Sequence, residues 1–275
     1  MPSKINSSKR CSSTTCSFHI HNSPFKILIS VFNYLLKLGD SSLILAQRLS
    51  EWTGHGPFLE EDLALTNIAL DLFGRANSLL EYAAKTEGKN RSQDDLAFHR
   101  SEREFFNLLI TELPNGDYAQ TMLRQAFVDC FDLLQYTALA KSNDAVLAGI
   151  AAKSVKEIAY HKRHSFSWVK RFGNGTEESL LRLKNALEEL WPYTGEFFEA
   201  GEEKKELVKK NLAADVTTLK EKWEEEIFGL LKESHLQIPL NVFMQKGGNG
   251  MHSEHLGHLL AEMQTLPRMY PDAKW

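Results

Sequence analysis

Any chemistry in this sequence has to come from carboxylates and imidazoles spaced along helices. Asp71-Leu72-Phe73-Gly74 and Glu157-Ile158-Ala159-Tyr160 each set an acid three residues before a position that shares its helix face. An acid followed by histidine at that interval, one such pair from each of two helices, binds two iron or manganese ions in a four-helix bundle when two other helices each add a glutamate. Here glycine stands at the first imidazole position, Gly74, and a neutral phenol at the second, Tyr160. Neither supplies the missing nitrogen ligand. His161 follows one residue later, on a rotated face, and the lone acids available are Asp40 and Glu51 before the first of these segments and Asp129 and Asp132 before the second. We therefore read Asp71, Gly74, Glu157 and Tyr160 as vestigial di-iron positions, and assign no catalytic, cofactor-binding or metal-binding residue. The competing reading is an autonomous di-metal carboxylate oxidoreductase with a divergent ligand set of Glu157, His161, His164, Asp129 and Asp132.

If Asp71 and Glu157 face the bundle interior, the cost of burying carboxylates has to be offset by a cation such as Arg75 or Lys156. A second group, His252, Glu254, His255, His258 and Glu262, has intervals that suit a metal on one helix. Without a supporting shell such ligands hold an ion weakly, and interface or solvent-facing polar residues are the preferred reading. Gly247-Gly248-Asn249-Gly250 lacks the preceding strand and the lysine and hydroxyl of a phosphate loop, so it reads as a turn. His-Glu-x-x-His, paired Cys-x-x-Cys and Gly-x-Ser-x-Gly motifs are absent.

The elements that must position these residues are helices throughout, because apolar residues recur at helical spacing and no sustained alternation appears. The periodicity predicts long helices over about Asn33 to Trp52, Leu59 to Lys85, Tyr118 to Lys141 and Asp144 to Arg171. Gly54-His55-Gly56-Pro57, Ser142-Asn143-Asp144 and Gly173-Asn174-Gly175 supply the breaks. A shorter helix is expected through Phe98, Phe105, Leu109 and Leu113. Further helices follow from Thr176 to a bend at Pro192, from Thr218 to Glu233 and from Ser253 to Leu266, with the charged stretch Glu202 to Lys210 as a solvated face or linker. The expected fold is all-α: a four-helix bundle with additional C-terminal helices.

At 275 residues and 43% hydrophobic, the chain can bury one core, expected over residues 33–275. A net charge of −4, from 32 basic and 36 acidic residues interspersed along the chain, argues against nucleic-acid binding. The three cysteines, Cys11, Cys16 and Cys130, form no disulfide framework and fit a cytoplasmic setting. The longest apolar run, Phe25 to Leu36, is interrupted by Lys26, Ser30 and Asn33 and falls short of the ~20 residues of a membrane span. Residues 1–32, polar and basic at the start, read as a disordered or non-native N-terminal extension in preference to a targeting segment.

Several segments together carry a resemblance. Leu38-Gly39-Asp40, Gln47 through His55, Asp62-Leu63-Ala64-Leu65, Leu70-Asp71-Leu72, Asn107-Leu108-Leu109, Leu113-Pro114-Asn115-Gly116, Lys156-Glu157, Tyr160-His161, Arg171 through Thr176, His255-Leu256-Gly257 and Leu260 through Gln264 occur in one order over about Asn33 to Trp275. In these the chain resembles the structural-subunit family of bacterial phenylacetyl-CoA oxygenase, also called 1,2-phenylacetyl-CoA epoxidase. The resemblance implies a ferritin-like, non-catalytic subunit that binds and stabilises a homologous catalytic subunit. That partner would hold the di-iron centre and the CoA thioester, and a reductase would deliver electrons from NADPH through FAD and an iron–sulfur cluster. Its implied partners are the catalytic, small and reductase subunits, with no cofactor in this chain, no nucleic acid and no membrane.

Overall fold

The computed structural model describes residues 24–240, 242–248, 250–271 and 273. Four long helices form two hairpins: α1 (Pro24–Ser50) packs against α2 (Leu59–Glu87), and α5 (Tyr118–Leu139) against α6 (Ala145–Gly173). Between the hairpins lie α3 (Gln93–Phe98) and α4 (Leu109–Glu112), and after them α7 (Glu177–Leu190), α8 (Glu202–Lys209), α9 (Lys220–Glu233) and α10 (Glu254–Met269). Among the described residues there is no β-strand, only an isolated bridge between Gly248 and Met251.

Local chemistry sets the boundaries. The side chains of Asp117, Asp144, Thr176 and Ser253 accept hydrogen bonds from the first-turn amides of α5, α6, α7 and α10, each such cap contributing about 1 kcal/mol. Gly88 ends α2 at φ 71°, with its N–H bonded to the Ala84 carbonyl, a left-handed turn that glycine adopts without a Cβ penalty. Pro192 ends α7 by handing the chain to a 3₁₀ segment, Trp191–Phe198.

Three expectations are corrected. The first helix begins at Pro24, not near Asn33, so the stretch assigned to a leader overlaps its first turns. Proline is tolerated in a first helical turn, where its missing N–H has no partner to lose. The earlier start also makes Lys26–Ser50 long and apolar enough to cross a membrane by length and composition, contrary to the short run expected. Leu35, Ile44, Leu45, Ala46 and Leu49 of this helix are nonetheless buried inside the bundle. The single helix expected through Phe98 to Leu113 is instead α3, a 3₁₀ turn at Glu102–Glu104, an extended stretch and α4. Two capping boxes, Ser92 with Asp95 and Ser101 with Glu104, start new turns and break the run. Cys11 and Cys16 lie outside the described residues, and Cys130 is a buried free thiol.

The apolar interior falls into two clusters stacked along the bundle. One includes Leu45, Leu49, Leu65, Leu72, Leu123, Phe127 and Val169, and the other Leu35, Ile44, Ala76, Leu79, Tyr136, Leu139, Leu147 and Ile158. The C-terminal helices join the first cluster through aromatic rings. Phe131 stacks on Phe197 at 4.7 Å between centroids, Trp223 packs edge-on against Phe197 and Phe198, and the Trp223 indole donates to the Phe127 carbonyl at 3.1 Å. Burying aromatic side chains of this size contributes about 1.5–3 kcal/mol each.

Candidate functional site

Where the two apolar clusters meet, all four long helices contribute polar side chains. Arg75 of α2 is almost fully buried; its Nη2 donates to Asp132 Oδ2 of α5 at 2.8 Å and its Nε to Ser42 Oγ of α1 at 3.0 Å. The guanidinium also lies over the Tyr136 ring, 4.7 Å from the centroid. Ser165 of α6 donates to Asp129 Oδ2 of α5 at 2.8 Å. Burial opposes the Arg75 charge, but Tyr136, Asp132 and Asp129 outweigh it and raise its pKa. Burial raises the pKa of both aspartates, that of Asp129 furthest, with the nearby Asp132 charge adding to it and Ser165, Arg75 and Lys162 opposing it. The Arg75 guanidinium is paired with Asp132, and the second carboxyl, Asp129, is held by the Ser165 hydroxyl, so the buried charge has a partner, which is how it is tolerated.

The residues of this layer do not fit a metal pair. A fixed cation, Arg75, already takes the Asp132 carboxylate, and a second cation against it would be repelled. A Cβ at Gly74 would meet no atom within 4 Å, and Tyr160 is 42% exposed, so both positions face outward. Asp71 and Glu157 lie at the rim, their side chains 41% and 24% exposed. Burial and the Asp71 charge raise the Glu157 pKa, and Lys153 stands 3.7 Å away.

The other candidate ligands have separate partners. His161 is buried, and its Nε2 meets Asp71 Oδ2 at 3.0 Å. Burial lowers its pKa to about 4, so the neutral ring donates its Nε2–H to the carboxylate. His164 pairs with Glu61 at 2.7 Å, and the same Glu61 oxygen accepts from Tyr118 at 2.6 Å and Trp168 at 2.8 Å. Asp40 is buried in an ion pair with Arg100 and accepts the Phe106 amide at 3.0 Å, while Glu51 pairs with Arg48 at 2.7 Å nearer the surface. Neither cation expected to compensate Asp71 and Glu157 pairs with them: Arg75 pairs with Asp132 and Lys156 is exposed, while Asp71 meets His161 and Glu157 meets Lys153. Among the described residues no group of three or more His, Cys, Asp or Glu side chains is arranged to hold a metal ion.

The C-terminal group is split. His252 turns inward: its Nδ1 meets Glu112 Oε1 at 2.6 Å and its Nε2 the Phe105 carbonyl at 3.0 Å. Two acceptors on one ring require both nitrogens to carry protons, so His252 is an imidazolium. Burial works against that charge; the hydrogen bond and charge of Glu112 overcome it, and the pKa is raised. Glu112, fully buried, also accepts from the Ser253 amide and hydroxyl and from Asn107. Glu254, His258 and Glu262 are exposed on α10 and His255 is half-buried. Sequence reading missed this network because α4 and the α10 N-terminus meet only in the fold. It equally missed the Arg75–Asp132 pairing, whose one signal was a lone arginine on an otherwise apolar stripe.

One surface is unusually apolar. Leu59, Leu63 and Leu70 on α2 lie at spacings that return to one helix face, and they are 71%, 53% and 60% exposed. Phe58 precedes them, and Tyr160 of α6 lies beside His161, which reaches across to Asp71.

A sequence profile of phenylacetic acid catabolic proteins matches residues 24–275. The chain is also 46% identical, over 243 residues, to the C subunit of the 1,2-phenylacetyl-CoA epoxidase of Escherichia coli strain K12, covering 88% of this chain and 98% of that protein.

Proposed function

This chain belongs to the phenylacetic acid catabolic protein family, its fold all-α and ferritin-like, and from that premise we propose that it is the structural, non-catalytic subunit of a multicomponent 1,2-phenylacetyl-CoA epoxidase. The observation that carries the reading is the Arg75 guanidinium, bonded to Asp132 and Ser42 at the centre of the bundle. A protein cation in that position does the electrostatic work that metal ions do in catalytic members of the fold, and it binds no oxygen. The chain's task is then to hold a homologous di-iron catalytic subunit in its active shape. Ring epoxidation, the CoA thioester and the iron belong to that partner, and FAD, iron–sulfur and NADPH chemistry to a reductase. Small and reductase subunits complete the assembly, which we place in the cytoplasm without nucleic acid or membrane.

The apolar face of α2, with Phe58 and Tyr160 at its edges, suits the catalytic partner. Obligate interfaces are large and hydrophobic, whereas isolated apolar side chains are ordinary on any surface. The di-metal alternative finds no support in the geometry, since Glu157, His161, His164, Asp129 and Asp132 are committed to different neighbours.

Co-expression with the catalytic subunit tests the reading. The two should elute as one complex, and Leu63→Asp with Leu70→Asp should release the partner while the isolated variant keeps its helical signal. A wild-type chain that never co-elutes, or a double variant that still binds as wild type does, refutes the assigned role or the assigned face respectively.

A further inference from the structure

A cleft of about 260 Å³ opens between α1, the 3₁₀ segment after α7, α8 and the glycine loop before α10. Lys37 of α1 and Lys204 of α8 both line it, each bringing an ammonium group to the same space. Two ammonium groups in one cleft have six donors and no acceptor between them, so they repel unless one loses its proton or an anion lies between them. Among the described residues neither lysine makes an ion pair. Glu199, the exposed acid at the cleft, faces Lys246 at 3.6 Å. The other acid, Glu196, is almost fully buried; its Oε2 accepts the Leu109 amide at 2.8 Å, and its Oε1 has no partner.

Two backbone features add to the lysines. Gly201 lines the cleft as the N-cap of α8 and provides no side-chain cap, so the positive end of that helix faces the same space. Gly247 forms the opposite wall, where a Cβ would strike Leu109 at 2.6 Å and Glu196 Oε1 at 2.8 Å.

We propose that this cleft is a phosphate-binding site, in which a phosphate group of a small molecule bridges the Lys37 and Lys204 ammonium groups at the N-terminus of α8. A phosphate dianion supplies several acceptor oxygens and two charges, matching two compact cations that a carboxylate would satisfy less completely. The site is remote from the Arg75 layer and does not rest on the structural-subunit reading.

Protonation agrees with this occupant. Burial first, then the neighbouring Lys37, lowers the Lys204 pKa to about 7, while Glu196 and Glu199 oppose the shift. Burial raises the Glu196 pKa, with Lys37 and the Leu109 amide opposing and Glu112 and Glu199 adding to it. Among the described residues, the remaining titratable side chain lining the cleft is Tyr34, whose pKa burial raises. A bound anion restores the Lys204 charge, so binding above pH 7 is coupled to uptake of up to about one proton.

The test is calorimetric titration of the full chain with inorganic phosphate and with coenzyme A, at pH 8 in two buffers of different ionisation enthalpy. Saturable binding with proton uptake is expected, weakened about tenfold or more in Lys37→Met and in Lys204→Met. Lys204→Arg should bind without proton uptake, because arginine is already charged. Tighter binding of coenzyme A than of phosphate identifies a phosphorylated cofactor as the source, and equal affinity identifies free phosphate. Absence of saturable heat with both ligands, or affinities unchanged in both methionine variants, overturns the proposal. Thermal unfolding of each variant by circular dichroism separates lost binding from lost fold, and co-elution with the catalytic subunit is unaffected either way.

Discussion

Replacing Arg75 by methionine removes the cation on which the central layer depends while keeping most of the side-chain volume. The side chains involved are enclosed, Arg75 4% and Asp132 13% exposed, so the ionised Asp132 would remain with neither its partner nor water. Breaking a buried pair from one side costs about 3–5 kcal/mol, and loss of the Ser42 bond and the Tyr136 contact falls within that range. Replacing both partners, Arg75→Met with Asp132→Leu, leaves no orphaned charge and should restore stability to within about 1–2 kcal/mol of wild type. The coupling energy between the sites is then at least about 1 kcal/mol. The penalty of the single variant also depends on pH in a defined direction. A carboxyl whose folded pKa is raised binds more protons folded than unfolded, and burial raises that of Asp132 even with Arg75 present. Its contribution to stability is therefore most favourable below the ordinary carboxylate value of ~3.9 and declines as pH rises through the raised value. Without Arg75 that decline steepens, so Arg75→Met should approach wild type in acid and diverge near neutrality. Urea unfolding followed by fluorescence of the five tryptophans reads both effects. A single variant costing less than about 1 kcal/mol at pH 7, or a double variant no more stable than the single, refutes the central-pair argument.

The Glu112–His252 pair should behave in the opposite sense with pH. His252 has a raised folded pKa, so its contribution is complete below the ordinary histidine value of ~6.5 and fades as pH rises through the raised one. Glu112→Gln should cost about 3 kcal/mol at pH 6 and flatten that dependence in urea unfolding; an unchanged slope would show that the pair does not titrate as assigned. Gly173→Ala places a Cβ 2.3 Å from the Ser234 carbonyl oxygen, where backbone must move, and should destabilise by about 1–3 kcal/mol in thermal melts. Cys130, whose pKa burial pushes up to about 12, should be alkylated only on unfolding; mass-spectrometric labelling of the native chain at Cys130 would contradict that burial.

Much of the bundle was legible in the sequence because helical periodicity is a local signal. Leu65, Ile68, Leu72, Ala76 and Leu79 place a buried face on α2 whatever lies opposite, and the breaks at Gly88 and Gly173 follow from turn chemistry. The interruption between Phe98 and Leu113 was less visible, since apolar spacing continued across it while Ser92 and Ser101 each capped a separate short turn. Long-range pairings left the weakest traces. Glu112 and His252 are 140 residues apart and Arg75 and Asp132 are 57 apart, and nothing in either local pattern specifies its partner. The broken acid-x-x-x pattern was visible along the chain, but it draws attention to Gly74 and Tyr160, which face outward. The decisive side chain was the neighbouring Arg75, one position round the helix and buried.

Whether this chain carries iron of its own is decided by quantifying iron and manganese, by plasma mass spectrometry, in the full chain purified alone from iron-supplemented cells. Far less than one ion per chain is expected, with iron appearing only when the catalytic subunit is co-purified. About two ions per isolated chain, the stoichiometry of the di-metal template, would contradict it.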